Sequence, residues 1–194
     1  MQPASVTRDK LVSAACAALE EQGLAALTVG SVALRAGVST ALVHYHFDTK
    51  AQLLLAAATR LAAARSQRRV AAFGTRAALR ALDDVWEMLL ESAESGAARA
   101  YFELALHGLE DDGIAAALTE DRAREHASLG SRLPALLAEL GASPVAGTEE
   151  LVVVVTAALD GFMQALLHQD SASVRAAYDA FWLTMISAGQ AGRR

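Results

Sequence analysis

The stretch His44-Tyr45-His46 gathers three side chains able to form hydrogen bonds or move protons, shortly before a lysine at position 50. Two histidines invite a metal-site or proton-transfer reading, but they stand two residues apart. On a helix that spacing points them in different directions, which makes a poor ligand pair. The single cysteine, Cys16, excludes a disulfide framework and a cysteine-based zinc site, and its apolar surroundings read as core. No HExxH, phosphate-cradling glycine loop or GxSxG motif occurs. Asp111-Asp112 is expected in a loop without a cationic or histidine partner. Neither an enzyme, a metal nor a cofactor is expected. What remains is a short run of hydroxyl, imidazole and ammonium groups able to form hydrogen bonds.

Such groups need elements that hold them outward. From Thr7 to Gln22, Leu11, Ala14, Ala15, Ala18 and Leu19 mark one face of a helix. Thr28 is a good cap for a short second helix to Ala36. Gly37-Val38-Ser39 makes a tight turn, and Ser39 can cap a third helix ending near His46. Thr49-Lys50-Ala51-Gln52 has capping-box form and opens a fourth helix reaching Arg68-Arg69. Five more follow, over about 75–94, 97–109, 113–140 (where Pro134 can kink or split the helix), 148–169 and 171–188. The clearest loop covers residues 141–147.

Composition agrees with this pattern. The chain has 194 residues, of which 54% are hydrophobic and 20% charged, enough for a true core. Counted along the sequence, 45 are alanine, a strong helix former and a poor strand former. An all-α fold of about nine helices is expected. The apolar run Leu151–Leu159 is too short to cross a membrane and Asp160 stops it, while the opening residues carry charge where a signal peptide needs an apolar run. A cytoplasmic protein without membrane contact is expected. Net charge is −5, yet residues 1–70 carry +4 and the remainder −9. Only the first third is suited to a polyanion. Within it, Arg65, Arg68 and Arg69 read as a solvated helix end.

Short helix, glycine turn, short helix is the form of a helix-turn-helix. Ala33 is small where two helices meet, and Val38, Val43 and Phe47 form the docking side of the third helix. Thr40, Ala41, Leu42, His44 and Tyr45 are left on its outer side. The ordered set Thr28, Ala36-Gly37-Val38-Ser39, Tyr45-His46-Phe47, Lys50 and Leu53-Leu54 resembles the DNA-binding domain of the TetR/AcrR family over about residues 7–60. Farther on, Asp160-Gly161-Phe162 adds a weaker match.

The resemblance implies a homodimeric repressor that binds a palindromic double-stranded DNA operator and responds to a small effector. Residues 1–50 would be the reading domain, the fourth helix over about 50–70 a link, and 71–194 an effector-binding and dimerisation domain. Thr28, Tyr45 and Lys50 would meet phosphates, with helix amino termini assisting, and Ser39 would belong to the same DNA-binding set. Thr40, Ala41 and Leu42 would lie nearest base edges. His44 replaces the family's usual tyrosine and could meet phosphate or base. His46 either meets a phosphate or packs between helices.

The body supplies candidates for the input. Trp86, Met88, Leu89, Tyr101, Phe102, Ala105, His107, Met163 and Gln164 are the candidate pocket residues, and their apolar character suits a largely hydrophobic effector. Tyr101 and Phe102 are adjacent, so one can line a cavity while the other packs in core. The last two helices carry two apolar rows. Leu159, Phe162 and Leu166 belong to one; Tyr178, Phe181 and Met185, with Trp182 beside them, belong to the other. Two such helices from each subunit can form a four-helix interface. The alternative is that the rows bury the subunit's own core.

Overall fold

A computed structural model describes residues 4–74, 77–144 and 146–191. Among these, the backbone forms nine α-helices, one 3-10 turn and no strand. The helices are α1 (Ala4–Gln22), α2 (Val29–Ala36), α3 (Thr40–His46), α4 (Lys50–Ala72), α5 (Ala78–Glu94), α6 (Ala97–His107), α7 (Asp112–Glu139), α8 (Thr148–Leu166) and α9 (Ser171–Ala191). The all-helical expectation holds. The helix start expected at Thr75 lies outside the described residues, as does Val145 of the expected loop. Pro134 does not split α7, which continues to Glu139 despite the missing backbone donor. The 3-10 turn over Leu24–Ala26 has no counterpart in the sequence pattern. None of the described helices is long and apolar enough to cross a membrane.

The chain divides into two compact units, and the division does not follow chain order. The first joins residues up to Ala64 with Ser95–Asp121; the second joins Arg65–Glu94 with residues from Arg122 onward. Sequence reading drew a linear boundary near residue 71, so α6 and the start of α7 stand on the other side of it. The physical reason lies in the core. Ala100, Leu104 and Ile114 belong to the same buried cluster as Leu11, Ala15, Leu19, Val32, Val43 and Leu53. Removing such a set from water is the main source of the unit's stability.

The second unit is centred on Leu89, Leu129, Leu133, Val155 and Leu159, all buried. Around them runs an aromatic chain: Trp86 packs on Tyr178, Phe162 on Tyr178 and Phe181, and Trp182 on Phe181 and Phe73. Tyr178 keeps its hydroxyl satisfied by donating to the Leu82 carbonyl at 2.6 Å. Arg175 lies over Trp86 and pairs with Asp83 at 3.0 Å.

Arg65 and Arg69 correct the expectation of a solvated helix end. Arg69 pairs with Asp160 at 2.7 Å and with Glu125 at 3.2 Å; Arg65 pairs with both carboxylates, and Arg122 reaches Asp160 at 3.0 Å. Arg69 and Glu125 are almost wholly buried, so these charges must be paired where they stand. Of the three arginines only Arg68 is exposed.

Candidate nucleic-acid interface

Three hydroxyl caps build the candidate interface. Thr28 caps α2 by accepting from the Ser31 N–H at 3.0 Å, while Ser31 Oγ accepts from the Thr28 N–H at 2.9 Å. Ser39 Oγ accepts from the Leu42 N–H at the start of α3, and Thr49 Oγ1 accepts from the Gln52 N–H at the start of α4, each at 3.2 Å. Gln52 returns the bond one residue earlier than a capping box does, accepting from the Asp48 N–H. Each cap uses a hydroxyl lone pair and leaves the O–H free to donate to an acceptor such as a phosphate oxygen. Helix amino termini add partial positive charge at the same places.

Gly37 makes the sharp turn between α2 and α3. It sits in the left-handed region at φ 64°, and its N–H together with that of Val38 satisfies carbonyls at the end of α2. A Cβ at Gly37 would touch nothing within 4 Å, so the demand for glycine is one of backbone conformation alone.

The turn sets α3 so that Val43 and Phe47 are buried and Val38 half-buried. Thr40, Ala41, His44 and Tyr45 are exposed on the other side, and Leu42 is half-exposed. Tyr45 is 76% exposed, unusual for a large aromatic side chain unless something else is meant to cover it. Its ring meets the His46 ring edge-on, with centroids 5.1 Å apart. Lys50 is exposed at the start of α4. His46 is half-buried and lines an open cleft of about 410 Å³ with Arg8, Phe47, Gln52 and Arg60.

Two side chains escape the sequence reading. Arg8 lies 4.9 Å over the Phe47 ring and adds an exposed cation beside α3. Leu34 on α2 is 84% exposed. Their only sequence signal is a position off the apolar face of a helix, which most surface residues share.

The candidate pocket residues are divided between the two units. Tyr101 is buried in the first, with Phe102, Ala105 and His107 half-buried; Trp86, Met88, Leu89 and Met163 are buried in the second, and Gln164 is exposed. Of the two apolar rows, Leu159, Tyr178 and Trp182 are at most 2% exposed within the protomer. They therefore form its own core, as the alternative reading had it. Phe162, Leu166, Phe181 and Met185 remain half-exposed. Among the described residues no cluster of three or more histidine, cysteine or acidic side chains could hold a metal ion.

Comparison with known proteins supports the same region. Residues 11–57 match the family described as bacterial regulatory proteins, tetR family. Over 56 residues the chain is 46% identical to the HTH-type transcriptional regulator BetI of Rhizobium meliloti; the match spans 29% of this chain and 27% of that protein. Two solved structures share the fold along nearly the whole chain. One, a candidate TetR-family transcriptional regulator from Rhodococcus sp., is 22% identical with a TM-score of 0.73, covering 93% of this chain and 99% of its own. The other is a candidate transcriptional regulator from Saccharomonospora viridis in complex with choline. It is 19% identical with a TM-score of 0.72, and the coverage is 91% and 95%.

Proposed function

We propose that the protein is a ligand-responsive, DNA-binding transcriptional regulator, a reading supported by the match of residues 11–57 to the tetR family of bacterial regulatory proteins and by a fold shared with a solved structure of such a regulator along nearly the whole chain. It acts as a homodimeric repressor released from its operator by a small, largely hydrophobic effector. The observation that carries this reading is the outer side of α3, where Thr40, Ala41, His44 and Tyr45 are exposed between capped helix ends. In a helix-turn-helix the second helix enters the major groove while the first crosses the backbone. Thr40, Ala41 and Leu42 then face base edges; Tyr45, Lys50 and the hydroxyls of Thr28 and Ser39 face phosphates. His44 lies on the same side and meets base or phosphate, and half-buried His46 borders it.

One short helix reads few base pairs, so two copies are required on a palindromic site. The dimer surface is the outward side of α8 and α9. There Phe162, Leu166, Phe181 and Met185 are half-exposed, Leu183 is 64% exposed, and a Cβ at Gly161 would meet nothing within 4 Å. Open space at Gly161 lets a second helix approach closely. The effector meets the apolar and aromatic candidates of the second unit, Trp86, Met88, Leu89 and Met163. Choline bound by the Saccharomonospora viridis protein is a precedent for a small molecule held by this fold. Effector binding shifts the population toward a state whose two recognition helices are wrongly spaced for successive major grooves.

Selection from a random-sequence pool of duplex DNA tests the reading. Enrichment of a two-fold-symmetric sequence is expected. A pool that remains unenriched after repeated selection would contradict it.

A further inference from the structure

The corner between α1 and α2 is held from outside the helix-turn-helix. Glu103, on α6, accepts the Leu24 N–H at 2.5 Å through Oε2, at the first residue of the 3-10 turn. Arg99, one helical turn earlier on α6, donates through Nη2 to the Glu20 carbonyl at 2.9 Å. That carbonyl lies in the last turn of α1, where a cation is favoured by the helix dipole. Arg99 also lies 3.9 Å from Glu103. Two glycines permit the approach: Gly96, at φ 81°, where a Cβ would run into the Glu20 carbonyl oxygen, and Gly23, at φ 82°, where a Cβ would come within 3.0 Å of the Glu103 carboxylate.

From this geometry we infer that Glu103 is a positioning residue for DNA reading. The inference rests on the regulator reading above. Only Ala25, Ala26 and Leu27 separate Leu24 from Thr28, the cap of α2, and Ser31 Oγ ties the corner further by donating to the Ala26 carbonyl. Whatever holds Leu24 therefore sets where α2 begins, and α2 carries α3 through Gly37 and the buried contacts of Ala33, Ala36 and Val43. A carboxylate accepting a backbone N–H is a charge-assisted bond, stronger than a neutral one.

The test compares the full-length protein with Glu103→Ala and Glu103→Gln. Hydrogen exchange is followed at Leu24 and at the interior amides of α2; affinity is measured for a duplex that the unaltered protein enriches from a random pool. In Glu103→Ala the Leu24 amide is expected to exchange at least ~10-fold faster while interior α2 amides hold, and DNA affinity to fall about 10-fold. Glu103→Gln keeps a neutral oxygen acceptor and recovers a large part of both. Charge alone makes the opposite forecast, because losing a negative group near DNA tightens binding in both variants. Unchanged exchange at Leu24, equal acceleration throughout α2, or tighter binding by both variants would overturn the inference. Failure of the unaltered protein to enrich any duplex would instead contradict the regulator reading, and the exchange data would still decide whether Glu103 holds the corner.

Discussion

Arg69 and Asp160 meet at 2.7 Å in the interior of the second unit, joining the end of α4 to the middle of α8. Burial pushes the Asp160 carboxyl up, but Arg69, then Arg65, and more weakly Arg122 outweigh it and hold the group well below the usual carboxylate range. The folded state therefore binds this proton less readily than the unfolded chain. Its contribution to stability is present above the unfolded value of about 3.9 and is lost as pH falls toward the folded one. Asp160→Asn leaves buried arginines undercompensated and is expected to cost about 3 kcal/mol or more at neutral pH. Denaturant unfolding of both proteins checks this, and the gap should narrow as pH drops from neutral to about 3. A gap independent of pH would show that the carboxylate charge is not what stabilises the cluster.

Tyr45 and Lys50 separate affinity from folding. Tyr45 is 76% exposed and Lys50 is exposed, so Tyr45→Phe and Lys50→Ala should shift stability by no more than about 0.5 kcal/mol. Tyr45→Phe removes only the hydroxyl and should weaken DNA binding by several-fold. Lys50→Ala should weaken binding to all sequences and lower the salt slope by about one. Thermal unfolding alongside binding titrations distinguishes these outcomes from damage to the fold.

The proposed dimer surface is tested at Leu183, the most exposed large apolar side chain of α9. Leu183→Glu should sediment as a monomer and bind DNA weakly, with its helix content intact. A dimer that survives the substitution would put the interface elsewhere. Trp182 is unsuitable for this test, because a charge there would be buried in the protomer's own core.

Cys16 should be inert in the folded protein. Burial pushes its thiol up to about 11, and Sγ lies 3.7 Å from the Ala57 carbonyl. The thiolate is the reactive form, so alkylation at neutral pH should proceed only as fast as the protein unfolds. Rapid labelling of native protein would contradict the packing of α1 on α4.

The helix-turn-helix was legible because its signals are local. Hydroxyl caps at Thr28, Ser39 and Thr49, a left-handed glycine at 37, and the apolar spacing of Val43 and Phe47 each act within one turn of chain. Identity of an apolar face, however, does not say what covers it. Ala100, Leu104 and Ile114 show a helical pattern that any partner could satisfy, and the pattern does not reveal that they complete the core around Leu11 and Leu19. Charges have the same ambiguity. Arg65 and Arg69 look like a solvated end because their carboxylate partners stand 56 or more residues away in sequence. Tyr178 and Trp182 read equally well as interface or core until neighbouring helices are placed around them.

Recognition of DNA through the outer side of α3 is tested most directly by fluorescence anisotropy. An enriched duplex and a scrambled one of the same composition are titrated at two salt concentrations. Affinity for the enriched duplex should exceed that for the scrambled one by at least ~10³-fold and fall steeply as salt rises. Equal affinity for the two duplexes, or binding indifferent to salt, would contradict sequence-specific reading by this surface.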